Sequence, residues 1–111
     1  MKYYSTNHTA PKATLAEAVI HGLAPDRGLY MPERIERLPE SFFRNIENLS
    51  LREISFEVAK AFFGEDINEE ELRDIVYDTL SFDCPVVNVS PGIWALELFH
   101  GPTLAFKDVG A

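Results

Sequence analysis

One lysine, Lys107, is placed for chemistry. It follows the turn residues His100-Gly101-Pro102 and stands behind Thr103 and the apolar run Leu104-Ala105-Phe106, with Asp108 next to it. A lysine ε-amine has a reference pKa of about 10.4. Burial in an apolar setting and the positive end of a helix both disfavour its ammonium form. An amine so treated attacks carbonyls and forms a Schiff base. Gly101 would let a flat ligand approach the backbone, and Pro102 would fix the entry to a helix. Thr103 is a candidate donor to a substrate carboxylate, or alternatively the cap of that helix. Asp108 either orients Lys107 or is simply an acid in a first helical turn. His100 is either a ligand contact or a solvated turn histidine. The bland alternative for the whole group is a solvated lysine beside an aspartate.

These residues need elements to carry them. Val86-Val87-Asn88-Val89 and the run 93–99 read as strands joined by a Ser90-Pro91-Gly92 turn, and a helix is expected from about Thr103. The run 93–99 is apolar on nearly both faces, which calls for cover on both sides. Upstream, Lys2-Tyr3-Tyr4-Ser5 reads as a short strand. Thr14-Leu15-Ala16-Glu17 is a capping box opening a helix that Gly22 ends, and residues 23–32 read as a loop. Residues 40–47 suggest a short helix. A second capping box, Ser50-Leu51-Arg52-Glu53, opens a helix to about Phe63. Asn68 starts a third, which repeats Leu72, Ile75, Val76 and Leu80 at helical spacing. The last two predict an antiparallel helical hairpin. The fold expected is α+β: a mostly helical small domain with one short sheet, built from the N-terminal strand plus strands near 86–89 and 93–99.

Composition removes whole classes of function. The chain has 111 residues and a net charge of -8, from 10 basic and 18 acidic side chains. Such a surface repels phosphate backbones and anionic membranes, so neither nucleic acid nor membrane is expected as a partner. The lone Cys84 excludes a disulfide framework and reads as a small buried hydrophobe. His8, His21 and His100 lack metal-ligand spacing. The acidic cluster Glu65, Asp66, Glu69, Glu70, Glu71 lacks the spacing of a calcium loop and reads as a solvated helix start, so no metal is expected. There is no signal peptide and no run of the ~20 apolar residues a span needs, which predicts a cytoplasmic protein.

The string His100-Gly101-Pro102-Thr103-Leu104-Ala105-Phe106-Lys107-Asp108 resembles the pyridoxal-phosphate lysine motif of the threonine synthase family. Lys2-Tyr3-Tyr4-Ser5-Thr6, Ala16-Glu17-Ala18-Val19-Ile20, Gly22-Leu23-Ala24 and Gly28-Leu29-Tyr30-Met31-Pro32 resemble its amino-terminal domain, in the same order. Asp26-Arg27-Gly28 departs from the common Asp-Gly-Gly, in a loop away from the cofactor. The resemblance implies an enzyme that converts O-phosphohomoserine and water to threonine and phosphate. It implies that Lys107 holds pyridoxal phosphate covalently and serves as its catalytic base and acid. It divides the chain into an amino-terminal domain, 1–100, and the start of the lysine motif, 101–111. The chain then reads as part of a longer polypeptide, inactive by itself and not binding the cofactor, since the glycine-rich phosphate loop lies downstream in that family. Self-association through the exposed strand 93–99 is expected. Two alternatives remain: a related pyridoxal-phosphate lyase with another phosphorylated substrate, and a free-standing interaction domain.

Overall fold

The computed structural model describes residues 1–110; Ala111, the last residue of the 101–111 segment, lies outside them. Two capping boxes start helices where the sequence places them. In α1 (Leu15–His21) the Glu17 N–H donates to Thr14 Oγ1 at 3.2 Å and the Thr14 N–H donates to Glu17 Oε2 at 2.7 Å. In α3 (Leu51–Phe63) Ser50 and Glu53 make the same exchange. Each satisfies backbone donors that a bare helix start leaves open. Gly22 closes α1 in a left-handed conformation at φ 71°. Between them lies α2 (Glu40–Asn45), extended by a 3₁₀ turn over Ile46–Asn48. Asn68 caps α4 (Glu69–Thr79) by accepting from the Glu71 N–H at 3.0 Å.

The class is α+β, but the strands divide differently from the expectation. Among the described residues there are two separate two-stranded antiparallel sheets, not one. The N-terminal strand β1 (Tyr3–Ser5) pairs with β2 (Tyr30–Pro32), which lies inside the stretch read as a loop. Three residues ending at a proline give no alternating pattern to read. Strand β3 (Val86–Ser90) pairs with β4 (Ile93–Leu96), with a bulge between Asn88 and Ser90. β4 is shorter than the run 93–99: past Leu96 one more bond, Glu97 N–H to the Pro85 carbonyl at 2.9 Å, continues the hairpin before the chain becomes irregular. Cys84 is half-buried rather than buried.

Two small apolar clusters form the core. Phe56 and Ala59 of α3 meet Leu72 and Val76 of α4, as the predicted helical hairpin requires. Tyr3, Leu15 and Ala18 form the second cluster, and Phe63 and Ile67 pack against both. The β3–β4 hairpin stands apart from them. Its Val86, Val89, Ile93, Trp94 and Leu96 are exposed.

A polar hub ties β1 to the loop before β2. Asp26 accepts from the Ser5 hydroxyl at 2.5 Å, from the Gly28 N–H at 3.1 Å, from the Thr9 N–H and hydroxyl, and from the Ala10 N–H at 2.9 Å. The Ser5 hydroxyl first, then the Gly28 and Thr9 donors, hold the Asp26 carboxyl far below the usual carboxylate range. The acidic residues Glu65 and Asp66 pair with the Met1 ammonium at 2.9 and 3.1 Å.

Candidate active site

Hairpin β3–β4 delivers the chain to residue 97, and the irregular stretch 97–106 carries it to α5 (Lys107–Gly110), a single four-residue turn. The helix expected from Thr103 therefore begins at Lys107 instead. Leu104 takes a left-handed backbone, φ 56°, and its N–H bonds to the Gly101 carbonyl at 3.0 Å, forming a tight turn that a helix from Thr103 cannot contain. At the end of the turn the Asp108 and Val109 N–H groups reach back three residues, to Ala105 and Phe106.

Thr103 and Asp108 form a clasp across this turn. The Thr103 N–H donates to Asp108 Oδ2 at 2.9 Å, and its hydroxyl lies 2.7 Å from Oδ1 and 2.8 Å from Oδ2. The Thr103 hydroxyl is the main reason the Asp108 carboxyl titrates below its ordinary range. The glycine at 101 has a local cause. A Cβ there would sit 2.6 Å from the Asp108 Cβ, so Gly101 makes room for Asp108 rather than for a flat ligand. His100 stacks on Phe99 and its Nε2 lies 2.6 Å from Glu97 Oε2, so it is not an isolated turn histidine.

Lys107 is exposed. The apolar enclosure expected around its amine is not formed, and Leu104 and Phe106 are themselves mostly exposed. Among the described residues Lys107 has no ion-pair partner. Of the other lysines, Lys12 pairs with Glu33 and Lys60 with Glu57, and Lys2 likewise has no pair among the described residues; Asp108 is held by Thr103. The chain thus brings together Gly101, Thr103, Lys107 and Asp108. Sequence reasoning singled out all four but not the bond from Thr103 to Asp108. A Thr five residues before an Asp is not a local capping spacing, and the left-handed Leu104 that closes the gap has no signature in a leucine. Among the described residues no three His, Cys, Asp or Glu side chains converge to hold a metal ion. No helix among them is long and apolar enough to cross a membrane.

A primary amine that is solvent-accessible and unpaired fits the aldehyde of a cofactor such as pyridoxal phosphate. It is the one residue of this stretch with that chemistry. Asp108 and Glu97, both anionic, are unsuited to its phosphate.

Comparison with known proteins gives a consistent answer. The family model for the threonine synthase N terminus matches residues 2–80. Threonine synthase of Escherichia coli K12 is 36% identical over 110 residues, which is 99% of this chain and 26% of that protein. Threonine synthase-like 2 of Mus musculus is 38% identical over 118 residues. A crystal structure of PLP-bound threonine synthase from Brucella melitensis superposes with a TM-score of 0.86 at 37% identity, covering 98% of this chain and 25% of that one. The chain spans about a quarter of the length of the relatives it matches.

Proposed function

The chain belongs to the threonine synthase amino-terminal family, and on that premise we propose that it is the amino-terminal part of a cytoplasmic pyridoxal-phosphate-dependent lyase. The reaction is O-phosphohomoserine plus water giving threonine plus phosphate, in which phosphate leaves the γ-carbon and water adds at the β-carbon. One observation carries this reading: the string His100–Asp108, with its accessible lysine, inside a match that runs over 99% of the chain. Bound pyridoxal phosphate supplies an electron sink for charge developing on the substrate. Lys107 holds the cofactor through its amine and moves protons at the substrate α- and β-carbons. Thr103 spends its N–H and hydroxyl on Asp108, so in this reading the substrate carboxylate is left to other groups.

By itself this polypeptide does not turn over. Lys107 stands exposed on a four-residue helix, without the rigid surround a working site needs. The exposed hairpin strand β4, at the start of the 93–99 run, pairs with a second copy at high concentration. A second reading keeps the lyase chemistry and changes the phosphorylated substrate.

The test has two arms. The chain is incubated with pyridoxal phosphate, reduced with borohydride and mapped, with Lys107→Ala alongside. Weak label shared among Lys2, Lys12, Lys60 and Lys107 is expected, with no phosphate released from O-phosphohomoserine. Stoichiometric label confined to Lys107 would overturn the inactivity. In the second arm this chain replaces the matching quarter of the Escherichia coli synthase. The chimera should release phosphate, and Lys107→Ala within it should cost about 10²–10⁴-fold. A folded chimera that works equally well without Lys107 removes the assignment.

A further inference from the structure

We propose that Thr103 is a positioning residue for Lys107: its N–H and hydroxyl hold the Asp108 carboxylate on the 101–108 turn, which leaves the adjacent amine without an ion-pair partner. The proposal rests on the reading of Lys107 as a carbonyl-binding amine and goes beyond it by giving the residue pair on either side a task.

The argument starts from a conflict in the sequence. An amine that is to attack a carbonyl must shed its proton, yet Lys107 is followed directly by an aspartate. An opposite charge close by favours the ammonium and so opposes that step. The turn eases the conflict geometrically by holding the carboxylate, although the two charges still act on one another. Both Asp108 oxygens are taken up by Thr103, at 2.7 to 2.9 Å. The Asp108 Cβ packs so closely on Gly101 that any side chain there would collide with it. The left-handed Leu104 closes the turn that brings Thr103 to Asp108. The remaining titratable groups of the stretch, Glu97 and His100, are engaged with one another at 2.6 Å. Asp108 is then the anion that decides the environment of the amine, and Thr103 decides where Asp108 goes. α5 is one turn long and bonded three residues back, so it does not by itself fix a long side chain away from its neighbour.

The experiment reads the amine directly. The full chain is treated with trace pyridoxal phosphate and cyanoborohydride over a pH series, and the rate of labelling is followed at the Lys107 and Lys2 peptides. Lys2 serves as the internal reference. In Thr103→Val the hydroxyl is lost and only the 103 N–H still holds Asp108, through Oδ2, so Oδ1 is released toward Lys107. Labelling there should slow by about threefold at neutral pH, the scale of an exposed ion pair, and its pH profile should move upward. Thr103→Ser, which keeps the hydroxyl, should behave as the parent. The double variant Thr103→Val/Asp108→Ala should regain the parental rate, because no carboxylate remains to capture. A merely structural role for Thr103 would leave the double variant as slow as the single one, and that result overturns the proposal. So does a Thr103→Val profile that superposes on the parent. The readout is independent of whether O-phosphohomoserine is the substrate, so failure of the functional reading and failure of this one are separable.

Discussion

Asp26 bears more of the amino-terminal structure than any other single side chain. Its carboxylate gathers donors from Ser5, Thr9, Ala10 and Gly28, and Ser5 is fully buried beneath it. Its folded-state pKa lies below the unfolded value. The stabilisation is therefore complete above the unfolded carboxylate pKa of ~3.9 and is lost as the pH falls below that toward the folded value. Asp26→Ala should lower the melting temperature at neutral pH and flatten the acid side of the stability profile. Thermal melts of both proteins from neutral to strongly acid pH check this, and parallel acid slopes would remove Asp26 as the cause. Gly28→Ala tests the same hub sterically. Its Cβ would fall 2.0 Å from the Ser5 hydroxyl, so a loss of about 1–3 kcal/mol in chemical denaturation is expected. The turn chemistry of Pro25-Asp26-Arg27-Gly28 is legible in the sequence. Its partners are not, because Ser5, Thr9 and Ala10 reach Asp26 only once β1 has paired with β2. Lys107 is the opposite case: residue type and flanking motif single it out in the sequence as the proposed site, while its exposure depends on a turn that no residue type announces.

At the scale of elements, α1, α3 and α4 were legible because their starts carry their own chemistry, whereas α5 begins four residues later than the sequence suggests. Thr14 with Glu17, Ser50 with Glu53 and Asn68 each announce a helix and each makes the bond expected of it. Ser50→Ala should cost about 1 kcal/mol by removing a donor–acceptor exchange at the start of α3. The apolar stripes of α3 and α4 then specify their pairing, with Leu72 only 2% exposed at its centre. Leu72→Ala should cost about 2–5 kcal/mol, measured by denaturant unfolding with the m-value unchanged. A loss no larger than that of Ser50→Ala would mean that the helical hairpin is not the stabilising unit. β2 was hidden because a three-residue strand is defined by its partner rather than by its own pattern. The β3–β4 hairpin was legible from its Pro91-Gly92 turn, but which sheet it joins was not, since sheet membership is a long-range property.

The whole molecule is more open than its mass requires. A folded chain of 12.6 kDa exposes about 6,200 Å² by the usual scaling, and this one exposes 8055 Å². Its radius of gyration is 16.7 Å, against about 13 Å for a compact domain of this length. The excess of roughly 1,850 Å² exceeds the ~800 Å² each partner contributes to a standard interface. A contiguous part of the exposed apolar surface lies on the hairpin, where Trp94 is 63% and Ile93 60% exposed and the outer edge of β4 is unpaired. Only Glu97 carries a formal charge between residues 85 and 106, so all but one unit of the net charge of -8 resides elsewhere. Association through this face is opposed by long-range repulsion and favoured by local apolar contact. Salt should shift that balance, because it screens the first and spares the second. Sedimentation equilibrium across a wide concentration range should show a monomer–dimer equilibrium that tightens as ionic strength rises. Trp94→Asp puts a charge on an exposed position, so it should leave the melting temperature nearly unchanged while weakening the dimer by about tenfold or more. A protein that stays monomeric throughout would remove the second copy as the partner of this face. A Trp94→Asp variant that dimerises as well as the parent would place the contact on another surface, such as the apolar groove between α3 and α4 lined by Ile54, Val58 and Ile75.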